Sequence, residues 1–144
     1  MTTQTTAGKT LIPEVQMFLS KEVHSALIGG QEVIASNGDT FDTLDPGTGE
    51  KLATVSNMQP DDVERAVAAA QKTFDEADWA RLPVNERGVH LMRLADAVEQ
   101  RKPIIAQIEA LDSGKIEAQA ADDVQNFIDT VRYFCGLAQG LSLD

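Results

Sequence analysis

Cys135 is the side chain best suited to covalent chemistry, since a cysteine thiolate attacks electrophilic carbon atoms. It lies among apolar residues at three- and four-residue spacings, a pattern that predicts a helix with one buried face. A thiol on such a face is shielded from water and forms little thiolate. We therefore interpret Cys135 as a small core residue, and we predict that the chain contains no catalytic residue.

Few side chains in the sequence bind transition metals. Cys135 is the single cysteine, which excludes an internal disulfide and a cysteine-based zinc cluster. The two histidines are His24 and His90. A structural metal site is therefore not expected.

Two glycine-containing stretches resemble phosphate-binding loops at first sight, Gly29-Gly30 and Gly47-Thr48-Gly49. Neither has the spacing G-x-G-x-x-G or G-x-x-x-x-G-K, and neither opens a helix after a buried strand. We interpret both as turns, and we predict no cofactor-binding residue in the chain.

The first part of the sequence predicts a leader followed by hairpins. Residues 1–25 read as a leader, a loose tail and then a helix from about Leu11. Residues 26–55 are short β-prone pieces separated by turn residues, which favours hairpins. Asn37 and Gly38 form the most typical tight-turn pair.

After Met58 the periodicity changes to that of amphipathic helices. The four predicted helices begin near Pro60, Asn85, Pro103 and Glu117. Asp61 and Asp62 favour the positive end of the first helix, Asn85 is a predicted cap of the second, and Gly114 suits the end of the third. The apolar stripes comprise Val63, Ala66, Val67, Ala70 and Phe74; Leu91, Leu94, Ala95 and Val98; Ile104, Ile105, Ile108 and Leu111; and Val124, Phe127, Ile128, Val131, Phe134, Cys135 and Ala138.

Composition restricts the class of protein. A chain of 144 residues with 42% hydrophobic and 24% charged residues is typical of one globular domain. Its net charge of -11 would repel a phosphate backbone, so no nucleic acid partner is expected. No apolar run reaches the roughly 18 residues of a membrane span, and the Thr-rich start lacks the features of a secretory signal. We expect no membrane partner and a cytoplasmic location.

Seven short segments occur in a characteristic order along the chain. They are residues 27–33 (LIGGQEV), 45–50 (DPGTGE), 52–55 (LATV), the set Trp79, Glu86, Arg87 and Leu91, and residues 91–99 (LMRLADAVE), 109–115 (EALDSGK) and 132–138 (RYFCGLA). This series resembles the start of the NAD(P)-dependent aldehyde dehydrogenases, which read N-P-x-T-G-E, E-x-x-D-x-G-K and R-Y-x-A-G-W-A in the corresponding places. The resemblance extends to about Leu141.

The resemblance implies a fold of the α/β class in which this fragment is mostly α-helical with an amino-terminal β-hairpin. It would lack most of the Rossmann-type parallel sheet. Residues 26–144 would be the amino-terminal part of the NAD-binding domain, with a hairpin and about four helices. The position of Cys135 is usually a small buried Ala in the family. The family's catalytic Cys, its general-base Glu, its oxyanion-stabilising Asn and its Gly-rich cofactor turn are missing from this chain, and Trp79 would be a packing anchor.

The resemblance also implies a monovalent cation site, for K+ or Na+. In several family members an Asp at the position of Asp112 joins backbone carbonyls that here belong to Thr43 and Leu44. A hard cation prefers such carboxylate and carbonyl oxygens. The alternative is that Asp112 accepts local backbone hydrogen bonds near a helix end. Lys115 matches the lysine of the family segment, and it is equally consistent with a solvated charge near the negative end of its helix.

In the family, the helix corresponding to residues 122–132 helps to line a substrate tunnel. Asn126 falls near a tunnel-facing position that is often apolar, whereas the alternative is that this stripe belongs to the core. Phe18, Leu19 and His24 resemble the leader of bacterial phenylacetaldehyde-type members. Aryl-acetaldehyde, betaine aldehyde and aliphatic aldehydes all stay open as substrates.

Two functions follow from these observations. The first is a truncated or split NAD(P)-dependent aldehyde dehydrogenase, inactive alone, whose partners are a complementary carboxy-terminal part or dehydrogenase subunits in an oligomer. It would need NAD or NADP, held outside this chain. The second is a non-catalytic helical interaction or regulatory module that binds an intact dehydrogenase subunit through uncovered apolar faces.

Overall fold

The computed structural model describes residues 5–6 and 9–140. The strands are β1 (Thr5–Thr6), β2 (Lys9–Thr10), β3 (Ala26–Ile28), β4 (Gln31–Val33), β5 (Thr40–Leu44) and β6 (Lys51–Ser56). The helices are α1 (Pro13–Leu19), α2 (Pro60–Glu76), α3 (Val84–Gln100), α4 (Lys102–Ser113) and α5 (Glu117–Gly140), with a 3₁₀ turn at Asp78–Arg81. The chain divides after Ala77 into a first and a second unit. Six residues of the predicted leader (1–4 and 7–8) and the end of the resemblance at Leu141 lie outside the described residues.

The strands of the first unit form three antiparallel pairs, β1 with β2, β3 with β4, and β5 with β6. Gly29 and Gly30 connect β3 to β4 with φ angles of 57° and 80°, values that glycine adopts without steric cost. The turn that we predicted from these two glycines is confirmed. In the β5–β6 pair the register shifts between Thr43, which pairs with Ala53, and Leu44, which pairs with Lys51.

The turn between β5 and β6 is held by the buried carboxylate of Asp45. Its Oδ1 accepts hydrogen bonds from the backbone N–H groups of Gly47 at 2.7 Å and Thr48 at 3.3 Å. The backbone N–H of Asp45 in turn donates to the carbonyl of Glu50 at 2.8 Å. A side chain that bonds its own backbone two residues on is a standard way to stabilise a turn. The predicted strand, turn and strand around residues 44–55 are therefore confirmed.

Asp62 joins the start of α2 to the segment between β4 and β5. Its fully buried Oδ2 accepts hydrogen bonds from the backbone N–H of Gln59 at 2.9 Å and of Ser36 at 3.0 Å. Arg65 donates to Oδ1 of the same carboxylate. The hydrogen bonds from Gln59 and Ser36, followed by the one from Arg65, lower the pKa of Asp62 to about 2. Asp62 thus stabilises both the helix start and the path of the preceding chain.

The second unit is built from α3, α4 and α5, with α5 packed against both other helices. Its most buried cluster consists mainly of small side chains with Ile128 as the largest member, and the partly buried Val98, Ile105 and Val131 pack against it. The core residues are Ala95, Ala106, Ala110, Ala120, Val124 and Ile128. Because alanine side chains project little from a helix, they let neighbouring helices approach closely.

Arg132 connects α5 to α3 at the edge of the second unit. Arg132 of α5 donates to Asp96 at 2.8 Å and to both carboxylate oxygens of Glu99 on α3, at 2.7 and 3.1 Å. These bonds with Arg132 lower the pKa of Glu99. A guanidinium that meets a carboxylate with two parallel hydrogen bonds has a defined orientation. Arg132 therefore sets the register of α5 against α3.

Several boundaries differ from the sequence prediction. Asn85 is not the cap of its helix, because α3 begins at Val84 with Pro83 at the capping position. The predicted helix in residues 11–25 ends at Leu19. The tight turn at Asn37-Gly38 is confirmed, with the N–H of Gly38 donating to the carbonyl of Ala35 at 2.8 Å, but it connects β4 to β5, which do not pair, so it is not a hairpin turn. By contrast, Gly114 ends α4 in the left-handed conformation as predicted, with φ of 73°.

The apolar stripes are less buried than their periodicity indicated. In α2, Val63, Val67 and Phe74 are 53%, 61% and 75% exposed. In α5, Phe127 and Phe134 are exposed as well, whereas Ile128 is fully buried. The periodicity correctly identified which residues share a helix face. The exposed faces agree with the uncovered apolar surface that we expected of helices lacking the parallel sheet.

We expect Ile128→Ala to destabilise the 144-residue chain by about 2 to 5 kcal/mol, since it removes a large side chain from a tight core and leaves a cavity. Ile128→Val should cost about 1 kcal/mol. Leu137→Ala in the same helix, at a residue that is 47% exposed, should cost less than about 1 kcal/mol. Urea unfolding measures all three, and equal losses for Ile128→Ala and Leu137→Ala would contradict the packing described above.

Asp62→Asn should lower the melting temperature by several degrees near neutral pH, because the ionised carboxylate and its pairing with Arg65 are lost. The pKa of Asp62 is about 2, below its ordinary value, so the ionised form stabilises the fold above about pH 4. That contribution disappears as the pH falls from about 4 towards 2. The difference in melting temperature between wild type and variant should shrink over the same range.

The matched control is Asp61→Asn, an exposed carboxylate in the same turn of α2. It should change the melting temperature little at any pH. A difference between wild type and Asp62→Asn that stays constant down to pH 2 would show that the carboxylate charge of Asp62 does not stabilise the fold.

Candidate functional site

Cys135 lies on the buried side of α5 and is 2% exposed, as the sequence predicted for a core residue. No group of three or more His, Cys, Asp or Glu side chains among residues 10–140 is arranged to hold a metal ion. The thiol of Cys135 is shielded from solvent and from a substrate in solution. That no residue of this chain takes part in catalysis stays a prediction.

A groove of about 480 Å³ runs between α3 and α5 in the second unit. Trp79, Leu91, Phe134 and Cys135 are among its mostly apolar lining residues, and Arg87 is the charged one. Its volume lies within the roughly 300 to 1,000 Å³ of small-molecule sites. We call it the α3–α5 groove.

The positions of the two glycine turns in the first unit determine whether they could hold cofactor phosphates. Gly29 and Gly30 join two paired strands, and so do Gly47 and Gly49. Cofactor phosphates are typically held by backbone amides at the start of a helix that follows a buried strand. The described glycine turns do not provide such a loop, so they do not fit the phosphates of a nicotinamide cofactor.

Asp112 lies in the last turn of α4, where its residue is exposed. Gly114 then ends the helix, and Lys115 turns back to form ion pairs with Glu109 and Asp123, both at 2.8 Å. The hydrogen bond to Asp123, and next the one to Glu109, raise the pKa of Lys115. Lys115 is therefore a bridge between α4 and α5 and not a solvated charge.

The other predicted cation ligands, Thr43 and Leu44, lie at the register shift of β5 in the first unit. A register shift changes which carbonyl groups take part in strand pairing. Asp112 belongs to the second unit. The assignment of these three residues to a K+ or Na+ site stays a prediction.

Asn126 is exposed on α5, on the side away from the buried Val124 and Ile128. It is thus not a core residue, and it is not among the residues that line the α3–α5 groove. Its predicted position beside a substrate tunnel stays a prediction.

The histidines occupy structural positions. The backbone of His24 pairs with β6, donating to the carbonyl of Thr54 at 2.8 Å and accepting from Ser56 at 2.9 Å. Burial, and then the nearby charge of Lys21, lower the pKa of His24. The ring of His90 lies 5.9 Å from that of Trp79.

Sequence reasoning missed the α3–α5 groove and Arg87 within it. It grouped Trp79, Glu86 and Arg87 as an architectural block, with Trp79 as a packing anchor. In the structure Trp79 is 44% exposed, borders the groove and lies beside the ring of His90, so its role as a packing anchor stays a prediction. The missed signal is the helical spacing of Arg87 and Leu91, four residues apart, which places both on one face of α3.

The thiol, the histidines and the glycine turns all lie within the elements of the fold or their connections. Within residues 10–140, Cys135 is buried, the backbone of His24 pairs with β6, and the glycine turns belong to hairpins. The described residues present apolar helix surface outward, with the α3–α5 groove and a second groove beside α2. None of the helices in the described part is long and apolar enough to cross a membrane.

The sequence of this chain is similar to aldehyde dehydrogenases from several organisms. The sequence profile of the aldehyde dehydrogenase family matches residues 33–143. Mitochondrial benzaldehyde dehydrogenase from Antirrhinum majus is 41% identical over 135 residues, which cover 93% of this chain and 25% of that protein. A putative aldehyde dehydrogenase from Bacillus subtilis is 40% identical over 110 residues, covering 76% of this chain and 22% of the relative.

Solved structures agree with these sequence matches. A variant of aldehyde dehydrogenase from Bacillus cereus superposes with a TM-score of 0.83 at 37% identity, covering 89% of this chain and 26% of that one. The NAD+ complex of the Bacillus cereus enzyme gives 0.81 at 38% identity, covering 88% and 26%. The chain thus spans about a quarter of the length of the relatives that it matches.

Proposed function

The chain belongs to the aldehyde dehydrogenase family, and from this premise we propose that it is the non-catalytic amino-terminal scaffold of an NAD(P)-dependent aldehyde dehydrogenase. The reaction of the whole enzyme converts an aldehyde and water to a carboxylic acid, with hydride transfer to the nicotinamide. The groups that perform this reaction belong to polypeptide outside residues 1–144, on the same chain or on another.

This proposal rests on two facts: the chain matches only about a quarter of the Antirrhinum majus and Bacillus cereus dehydrogenases, and its own cysteine is buried. Most of the chain matches the family, yet the match accounts for about a quarter of each relative, and Cys135 is buried in a helix face. The hairpin turns also do not fit cofactor phosphates, so no reaction step is assigned to residues of this chain. Their proposed role is to position the remainder of the enzyme.

The exposed apolar surface of α2 supports an architectural role. Val63 and Val67 line a shallow groove of about 370 Å³ with Leu27 and Ile28 of β3, and Phe74 extends the same stripe. Monomeric proteins rarely leave large continuous apolar patches uncovered. We infer that the catalytic remainder of the enzyme covers this surface, which we call the α2 face.

Finer features of the proposal rest on the resemblance. The cofactor is NAD or NADP, and a Bacillus cereus relative has been solved as an NAD+ complex. The K+ or Na+ site at Thr43, Leu44 and Asp112 and the tunnel position of Asn126 are parts of the same proposal. So is a cytoplasmic location, since a relative from Xenopus tropicalis is described as cytosolic. Aldehydes with aromatic, betaine or aliphatic groups are the candidate substrates.

The second candidate function is an interaction module that binds an intact dehydrogenase subunit. The same uncovered α2 face favours it, because an exposed apolar helix face is suited to a protein partner. The two candidates differ in whether binding restores catalysis.

Reconstitution separates them. The 144-residue chain would be mixed with the remainder of the Bacillus cereus enzyme, prepared without the matched quarter, and aldehyde-dependent NADH formation would be measured. We expect no turnover by either part alone and measurable turnover by the mixture. Tight binding to an intact subunit without turnover would favour the interaction module. Turnover by the 144-residue chain alone, abolished by alkylation of Cys135, would contradict both candidates.

Val67→Glu should lower the reconstituted activity at least about tenfold, because it places a carboxylate on the α2 face. This carboxylate would lose its hydration when the remainder of the enzyme binds there. Ala68→Glu adds the same charge at a neighbouring exposed position outside the apolar stripe and should change activity less than about twofold. Circular dichroism checks that both variants keep their helix content. Equal losses for the two variants would show that the α2 face is not the docking surface.

A further inference from the structure

Arg87 differs from the other half-buried arginine of the second unit. Arg132 has three hydrogen bonds to Asp96 and Glu99, whereas Arg87 forms no ion pair within residues 10–140, and its buried Nε has no hydrogen-bond partner there. The chain holds 23 acidic residues against 12 basic ones, so an unpaired guanidinium is not a consequence of scarce carboxylates. A buried N–H without an acceptor is unfavourable.

The residues around Arg87 limit which ligand could accept hydrogen bonds from its guanidinium. Trp79, Leu91, Val131 and Phe134 make the walls of the α3–α5 groove apolar, and Cys135 contributes a neutral thiol. A single guanidinium matches one carboxylate, which can accept two parallel hydrogen bonds. A polyphosphate carries more charge than one arginine balances. The apolar walls suit a hydrocarbon ring attached to the carboxylate.

We propose that the α3–α5 groove is a binding site for a small monocarboxylate that carries an apolar ring. The carboxylate accepts hydrogen bonds from Arg87, and the ring lies against Trp79 and Phe134. This site is independent of the proposed scaffold function, because it needs neither the catalytic remainder nor a cofactor.

The chain contains a convenient reporter, since Trp79 is its single tryptophan and borders the groove. Titration of the 144-residue chain with cyclohexanecarboxylate, which does not absorb at the wavelengths used, should change the Trp79 fluorescence in a saturable way. For so small a ligand we expect a dissociation constant on the order of 1 mM. The neutral amide of the same shape should bind at least about tenfold more weakly, because it lacks the charge that pairs with Arg87.

Arg87→Gln should weaken binding of the carboxylate by about tenfold or more, whereas it should leave the weak binding of the amide almost unchanged. Arg93→Gln removes an exposed arginine from the same helix and should have no effect on either ligand. Circular dichroism establishes whether each variant is folded.

Isothermal titration calorimetry supplies a second measurement that does not depend on fluorescence. It should give the same dissociation constant as fluorescence for the wild type and a constant at least about tenfold larger for Arg87→Gln. The proposal is overturned by the absence of a saturable response, by equal binding of acid and amide, or by equal losses for Arg87→Gln and Arg93→Gln. If Arg87→Gln does not fold, the comparison of acid with amide in the wild type still decides the outcome.

Discussion

Close packing of α3, α4 and α5 through alanine is the constraint on which the second unit depends. Ala95, Ala106, Ala110 and Ala120 surround Ile128, so the helices meet with little side-chain volume between them. The large apolar residues Phe127, Tyr133 and Phe134 face outward instead. Hydrophobic stabilisation scales with the apolar area removed from water, so a core of alanines leaves much of the available stabilisation unrealised. Such a unit gains stability when another surface covers aromatic side chains outside the α3–α5 groove, such as Phe127 and Tyr133.

Ionic contacts between distant parts of the sequence complement this small core. Arg132 reaches 33 to 36 residues back to Glu99 and Asp96, and Asp62 reaches 26 residues back to Ser36. Such hydrogen bonds are directional, so they fix the alignment of one element relative to another. Apolar contacts hold the elements together but constrain their alignment less. Asp62 is effective because backbone N–H groups and Arg65 replace the water that burial removes.

Local features were predictable from the sequence, and long-range ones were not. Pro60 and Gly114 identified a helix start and a helix end, and Asp45 to Glu50 identified a hairpin turn, because each depends on residues within one turn of chain. The partners of Arg132 and the tie from Asp62 to Ser36 have no local pattern. Periodicity grouped Val63, Val67 and Phe74 correctly, but it carries no information on what covers a helix face. The groove around Arg87 was not predicted, because the sequence pattern does not show which helix faces stay uncovered.

Cys135 and Arg87 differ in what their surroundings allow them to do. A nucleophilic thiol needs a nearby base and access to substrate, and Cys135 has a helix face around it instead. A guanidinium in an apolar groove needs an acceptor, and residues 10–140 supply none to the Nε of Arg87. The first residue therefore belongs to the packing of α5. The second is the observation from which we infer that the α3–α5 groove recognises an anionic group.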